Sequence, residues 1–163
     1  MNVFVIGTPF ETAKCLDNRR LNKQIIECEQ IIKALEGESK AWANHPCTLQ
    51  YKDHIGWLKL YMWCLSAYQK YNKSSEWERQ TWLQISKNWS DKAIEFTPSF
   101  HTGEYLTQMK RRLYTKNNTH YCQWENLGES DINMYNVDGK WRFYRNGKQL
   151  KTSDMTNFLS KSV

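Results

Sequence analysis

Arg20, Lys23, Gln24 and Glu27 recur every three or four residues within the segment LDNRRLNKQIIECEQII, which runs from Leu16 to Ile32. On a helix that spacing places all four on one side. Two cations, an amide and a carboxylate in one row suit chemistry on an anionic substrate. A cation neutralises a phosphate, and a carboxylate moves a proton or stabilises a cationic transition state. The same row also reads as a solvated face with an i,i+4 Lys23–Glu27 pair, worth about 0.3–0.5 kcal/mol. A second set of cations, Lys110, Arg111, Arg112 and Lys116, lies late in the chain at a helix end and its following loop. Adjacent arginines cannot share one face, so at least one is available to a phosphate. The alternative is a solvated helix end favoured by the macrodipole. Of the four histidines, His45 precedes a proline at a helix start, His101 follows Phe100 in a loop, His120 follows the basic cluster and His54 lies inside a helix. None has the spacing of a zinc site, and glycine-rich phosphate loops, GxSxG and HExxH patterns are absent, so neither metal nor cofactor is expected.

The elements that must position these groups can be read from local signals. Asn2–Ile6 is a short β-type run. Thr8, Pro9 and Glu11 form a capping box, so a helix starts at about Pro9, bends or restarts near Asp17-Asn18 and continues to Leu35. Leu16, Leu21, Ile25, Cys28, Ile31 and Ile32 supply its buried stripe. Pro46 opens a second helix running to about Tyr71, apolar on so many sides that it should be central. Ser75 and Glu78 form another capping box ahead of a third helix, Glu76 to Trp89, with Trp77, Leu83 and Ile85 as core candidates. Gly103–Tyr114 reads as helix, and the stretch from Lys116 to Tyr121 as a loop followed by a short turn. Beyond it Met134–Val137, Lys140–Arg145 and Lys148–Leu150 are strand candidates separated by Asp138-Gly139 and Asn146-Gly147, strong hairpin signals. A short helix should open at Ser153. The expected fold is mainly α: a compact helical domain over 1–130, with a small three-stranded antiparallel β-meander and short helix over 131–163 packed on it.

Composition bounds the partners. The chain has 163 residues, 40% of them apolar, with eight Trp, nine Tyr and six Phe. Such aromatics fill a core and also offer stacking surfaces for unpaired bases. Lys and Arg number 23 against 17 Asp and Glu, a formal charge of +6, which steers polyanions toward the surface. Five cysteines, odd in number and without a CxxC pair, read as reduced thiols of a cytosolic protein. Met1–Gly7 is too short for a signal peptide, and no apolar run approaches the ~20 residues of a membrane span.

With these residues laid out, LDNRRLNKQIIECEQIIKAL, the Asn44-His45-Pro46 step and the stretch from His101 to Tyr121 together resemble one family. It comprises small bacterial and phage proteins grouped with pyrimidine-dimer DNA glycosylases of the endonuclease V type. The resemblance covers residues 1–125 and leaves the meander outside. It implies a compact helical protein in which Glu27 matches an essential glutamate. In those enzymes an N-terminal amine attacks C1′ of the damaged nucleotide, a Schiff base forms, and β-elimination nicks the strand. Arg20 stands where they carry a histidine, and Ile26 where they carry an arginine. His101-Thr102-Gly103-Glu104 lacks the family's second histidine and its serine.

What the resemblance implies is a cytoplasmic DNA glycosylase, with or without AP-lyase activity, acting on a damaged or modified base flipped out of the duplex. Glu27, Lys23, Met1 and Arg20 are the catalytic candidates, with the Met1 amine, Lys23 or water as nucleophile. Gln24, His45, His101, Arg111, Arg112, Lys116, His120 and Tyr121 are the candidate DNA contacts. Two other readings stand beside it. One is a DNA-binding protein without catalysis. The other is a hydrolase or lyase on a nucleotide-sized ligand, with His101, His120 and Glu27 as acid and base.

Overall fold

The structure is a computed structural model that describes residues 1–151, so the helix expected from Ser153 lies outside the described residues. Helix α1, Pro9–Cys15, starts on the Thr8 capping box. At Leu16 the backbone turns extended, and Asp17 caps a new helix, α2, Asn18–Leu35, by accepting from the Arg20 amide at 2.9 Å. The bend near Asp17 is therefore a full restart. Helix α2 ends in a Schellman turn: the Glu38 amide donates to the Lys33 carbonyl, and Gly37 takes φ +78° between them.

The helix expected from Pro46 to Tyr71 is instead two. Helix α3, Pro46–Gln50, is followed by a turn and then by α4, Ile55–Lys73. The break follows from burial. On one continuous helix Tyr51 and Trp57 would point about 120° apart. With the turn between them, both are fully buried and their rings stack at 5.7 Å. Helix α4 is central, packing on α1, α2 and α5.

Helix α5, Glu76–Ile94, outruns the expected end at Trp89. Its buried positions are the small residues Ser86, Ser90 and Ala93, which let it approach α4 closely. Trp77 lies nine residues, two and a half turns, before Ser86 and so faces the other way; it is 79% exposed rather than part of the core. The Ser75 hydroxyl donates to the Glu78 carboxylate at 3.1 Å and makes no cap to the helix amides, so the expected box is not formed.

Helix α6, Gly103–Lys116, is capped by Thr102 and leads through a loop into a 3-10 helix over Cys122–Leu127. Strands β1 (Ile132–Val137), β2 (Lys140–Arg145) and β3 (Lys148–Gln149) then form an antiparallel sheet in the order β1-β2-β3, with Ile132 opposite Arg145 and Tyr144 opposite Gln149. Both connections are the dipeptides that signal hairpins in the sequence. Asp138-Gly139 and Asn146-Gly147 all take positive φ, which matches the twist of the paired strands. Strand β1 packs on α3 and α6. No helix among the described residues is long and apolar enough to cross a membrane.

Candidate functional site

The β-type run at the N-terminus forms no strand. Val3, Phe4 and Val5 are buried, as their apolar character requires, but side chains take the place of a neighbouring strand. The Tyr135 hydroxyl donates to the Met1 carbonyl at 2.8 Å. Gln24 Nε2 donates to the Asn2 carbonyl at 2.6 Å, and Gln24 Oε1 accepts from the Phe4 amide at 2.7 Å. The Val3 amide donates to the Cys47 thiol. The Tyr61 hydroxyl donates to the Phe4 carbonyl, and the Asn2 side chain donates to Asn133 Oδ1 at 2.8 Å. Buried backbone groups must be paired, and here α2, α3, α4 and β1 each supply a partner.

This clamped segment forms one wall of a cleft of about 230 Å³. Its lining comes from residues 1–4, from α2 (Arg19, Arg20, Lys23, Gln24, Glu27), from α6 (Arg112, Lys116) and from Asn133 on β1. Glu27 is the lone carboxylate among five cationic side chains there. Its side chain is 13% exposed. Gln24 Nε2 donates to Glu27 Oε2 at 3.1 Å, and Lys23 Nζ stands 3.6 Å from Glu27 Oε1. Lys23 is two-thirds exposed, so the pair holds Glu27 only loosely.

The cations are braced from behind. Arg20 pairs with Asp17 at 3.3 Å and donates to the Lys116 carbonyl at 3.2 Å, joining α2 to the end of α6. Desolvation pushes the Asp17 carboxyl up. The Arg20 amide, the Tyr121 hydroxyl and the charges of Arg20 and His120 outweigh it, and the carboxyl sits below its usual range. Arg112 donates to the Ser130 carbonyl at 3.3 Å, and its buried Nε makes no hydrogen bond among the described residues. Burial holds Lys116 below the usual lysine range, and the crowding of Arg112, Lys23 and Arg20 adds to it, with Glu27 opposing. A cleft this rich in positive charge favours a polyanion, and its under-partnered guanidinium is suited to a phosphate.

The fold thus brings Met1, Arg20, Lys23, Gln24, Glu27, Arg112 and Lys116 together. The other candidates lie elsewhere. His45 caps α3, its Nδ1 accepting from the Cys47 amide at 3.1 Å; burial and then the nearby terminal ammonium lower its pKa. His101 sits in the aromatic core, 3.0 Å from the Tyr51 hydroxyl and stacked on Tyr105, so it is not beside Glu27 as an acid–base pair would require. His120 is bonded at Nε2 to the Cys15 carbonyl at 3.0 Å. Tyr121 is fully buried, its hydroxyl accepting from the Asp17 amide and donating to the Asp17 carboxylate. Arg111 is half-buried outside the cleft lining. Gln24 is 1% exposed with both ends of its amide engaged, which suits a brace better than a DNA contact.

Arg19, Asn2, Phe4 and Asn133 line the cleft although sequence reasoning does not mark them. Arg19 belongs to the same LDNRRL segment, one position off the charged row. Asn133 has no local signal, because its place depends on β1 docking beside the N-terminus. Among the described residues no group of His, Cys, Asp and Glu is arranged to hold a metal ion.

Residues 1–79 match the family described as pyrimidine dimer DNA glycosylase, 79 of 163 residues. That stretch contains Glu27 and the N-terminal wall, while Arg112, Lys116 and Asn133 lie beyond it. Neither the curated proteins nor the solved structures contain a significant match.

Proposed function

We propose, from a chain whose residues 1–79 match the pyrimidine dimer DNA glycosylase family, that it excises a damaged or modified base from DNA at the Glu27 cleft. The observation that carries this reading is that Glu27, the terminal residue and cations from α2 and α6 share one cleft. Arg20, Lys23, Arg112 and Lys116 would grip phosphates flanking a nucleotide turned out of the stack, since C1′ is not approachable inside an intact duplex. The Met1 amine, in its neutral form, attacks C1′. The C1′–N bond breaks, its electron pair leaves with the base, and the base takes up a proton. The C1′–O4′ bond then breaks, O4′ takes up a proton, and the nitrogen, having given up both amine protons, forms an imine with C1′. Removal of a C2′ proton then expels the 3′ phosphate and nicks the strand. Glu27 stabilises the positive charge that develops at C1′ and orients the attacking group. Lys23 is the alternative amine, and attack by water would release the base without a nick.

Borohydride trapping on duplexes carrying a pyrimidine dimer, an abasic site or a modified base tests the reading. A covalent protein–DNA adduct and base release are expected from the wild type. Glu27→Gln should slow the reaction on the order of 10²–10⁴-fold with DNA binding retained. Equal turnover by that variant would overturn the proposal. Binding without product on any substrate would point to a non-catalytic DNA-binding protein.

A further inference from the structure

We infer that the C-terminal meander is part of the reaction apparatus, because the Tyr135 hydroxyl on β1 positions the terminal amine in the cleft. The inference rests on the reading of that amine as the attacking group. The family-matched residues anchor the N-terminal segment from its second residue onward: Gln24 holds the Asn2 carbonyl and the Phe4 amide, and Tyr61 holds the Phe4 carbonyl. The hydrogen bond to Met1 itself comes from Tyr135, at 2.8 Å. Bonding that carbonyl sets the plane of the first peptide. From a fixed plane the amine can move only on a circle of radius about 1.4 Å around the Cα–C bond. The Met1 side chain, packed against the core, selects the point on the circle.

Tyr135 is built to hold this position. It is 3% exposed, and its ring is set edge-on against His45 at 5.7 Å and Tyr144 at 5.6 Å. Burial pushes its phenol well above the usual tyrosine range, so the hydroxyl remains a donor across all working pH. Beside it, Asn133 accepts from the Asn2 side chain, and the Gln50 side chain accepts from the Asn136 amide, tying β1 to α3. Two successive N-terminal residues are thus registered against one strand. Without the Tyr135 hydroxyl the first peptide plane is free to tilt. Misplacement of a reacting atom by about 1 Å can cost up to ~10²-fold in rate.

The experiment is single-turnover borohydride trapping on a duplex with one abasic site, using the full chain. The amine nitrogen adds to the C1′ aldehyde and water leaves to give the imine. Hydride from borohydride then reduces the carbon–nitrogen double bond to a stable secondary amine. The adduct is located by digestion. For the wild type, a rapid adduct on the N-terminal peptide is expected. Tyr135→Phe should trap roughly tenfold more slowly, bind the same DNA within about twofold, and shift part of its adduct to Lys23. Tyr144→Phe, which gives up only an exposed hydrogen bond to Gln149, should behave as wild type. Should Tyr135→Phe fold poorly, Asn133→Ala probes the same registration through Asn2 and should also slow trapping. Wild-type rate and wild-type adduct location in a folded Tyr135→Phe overturn the inference while the excision reading survives. A wild-type adduct on Lys23 alone does the same. Absence of any wild-type adduct removes the amine mechanism and the inference with it.

Discussion

The Glu27 cleft and the aromatic pocket around His101 each hold a polar side chain that sequence marks as a candidate, and the two surroundings could hardly differ more. His101 is enclosed by Tyr51, Trp57, Phe100 and Tyr105, with ring centroids 4.7–6.0 Å away. Burial, helped by His54, drives its pKa down to about 3, so the ring is neutral and its Nε2 is already bonded to Tyr51. A neutral imidazole in that position contributes no charge to a phosphate. Glu27 instead stands among Arg19, Arg20, Lys23, Arg112 and Lys116 in an open cleft. Packing holds one group neutral against aromatic rings, whereas the other stands in a cleft where five cationic side chains meet one carboxylate. Function belongs where the fold leaves such an excess of charge.

The widest separation between the two regions should come from paired variants. Glu27→Gln should lose about 10²–10⁴-fold in single-turnover base release, while His101→Phe should retain wild-type release per folded molecule. A catalytic loss in His101→Phe would dissolve the contrast. Stability should show the reverse. His101→Ala should cost about 2–4 kcal/mol in urea unfolding at pH 8, through the space it leaves among the rings, with Glu27→Gln well below that.

The pH dependence follows from the depressed His101 pKa. Below its ordinary value of 6.5 the unfolded chain takes up a proton that the folded chain refuses until about pH 3. The His101 contribution is therefore complete above about pH 6.5 and is lost progressively as pH falls toward 3. Urea midpoints measured across that window should fall for the wild type and flatten in His101→Phe.

Smaller effects are expected from the cations. Lys116→Gln or Arg112→Gln should weaken DNA binding at every sequence and lower the slope of log affinity against log salt by about one for each phosphate that is no longer neutralised. An unaltered slope would remove that residue from the interface. The smallest effect should come from Trp77→Ser on the far face of α5, within about 0.5 kcal/mol in stability and without change in cleavage.

Local signals carried much of the architecture. The Thr8 and Asp17 caps, the Gly37 stop and the two positive-φ turns of the meander are decided by residues within five positions of each other, and each is legible in the chain. The row Arg20, Lys23, Gln24, Glu27 is legible for the same reason, because helical periodicity alone sets which side chains share a side. Apart from the Ser75 box, what failed were statements that depended on distant partners. The run Asn2–Ile6 has strand-like composition, yet Gln24, Tyr61 and Tyr135 satisfy its backbone in place of a strand. The Pro46 helix breaks because Tyr51 and Trp57 stack only across a turn.

The amino-acid order by itself therefore determined most helix starts, the hairpins and a charged row containing a carboxylate, since these are consequences of short-range geometry. Only the tertiary structure decided that Lys116 and Arg112 from α6, Asn133 from β1 and the terminal residue complete that row into a cleft. It also decided that His101 and Tyr121 are held inside. The reason is that burial and counter-charge are properties of neighbours separated by up to 134 positions along the chain, as Met1 and Tyr135 are, and no periodicity encodes them.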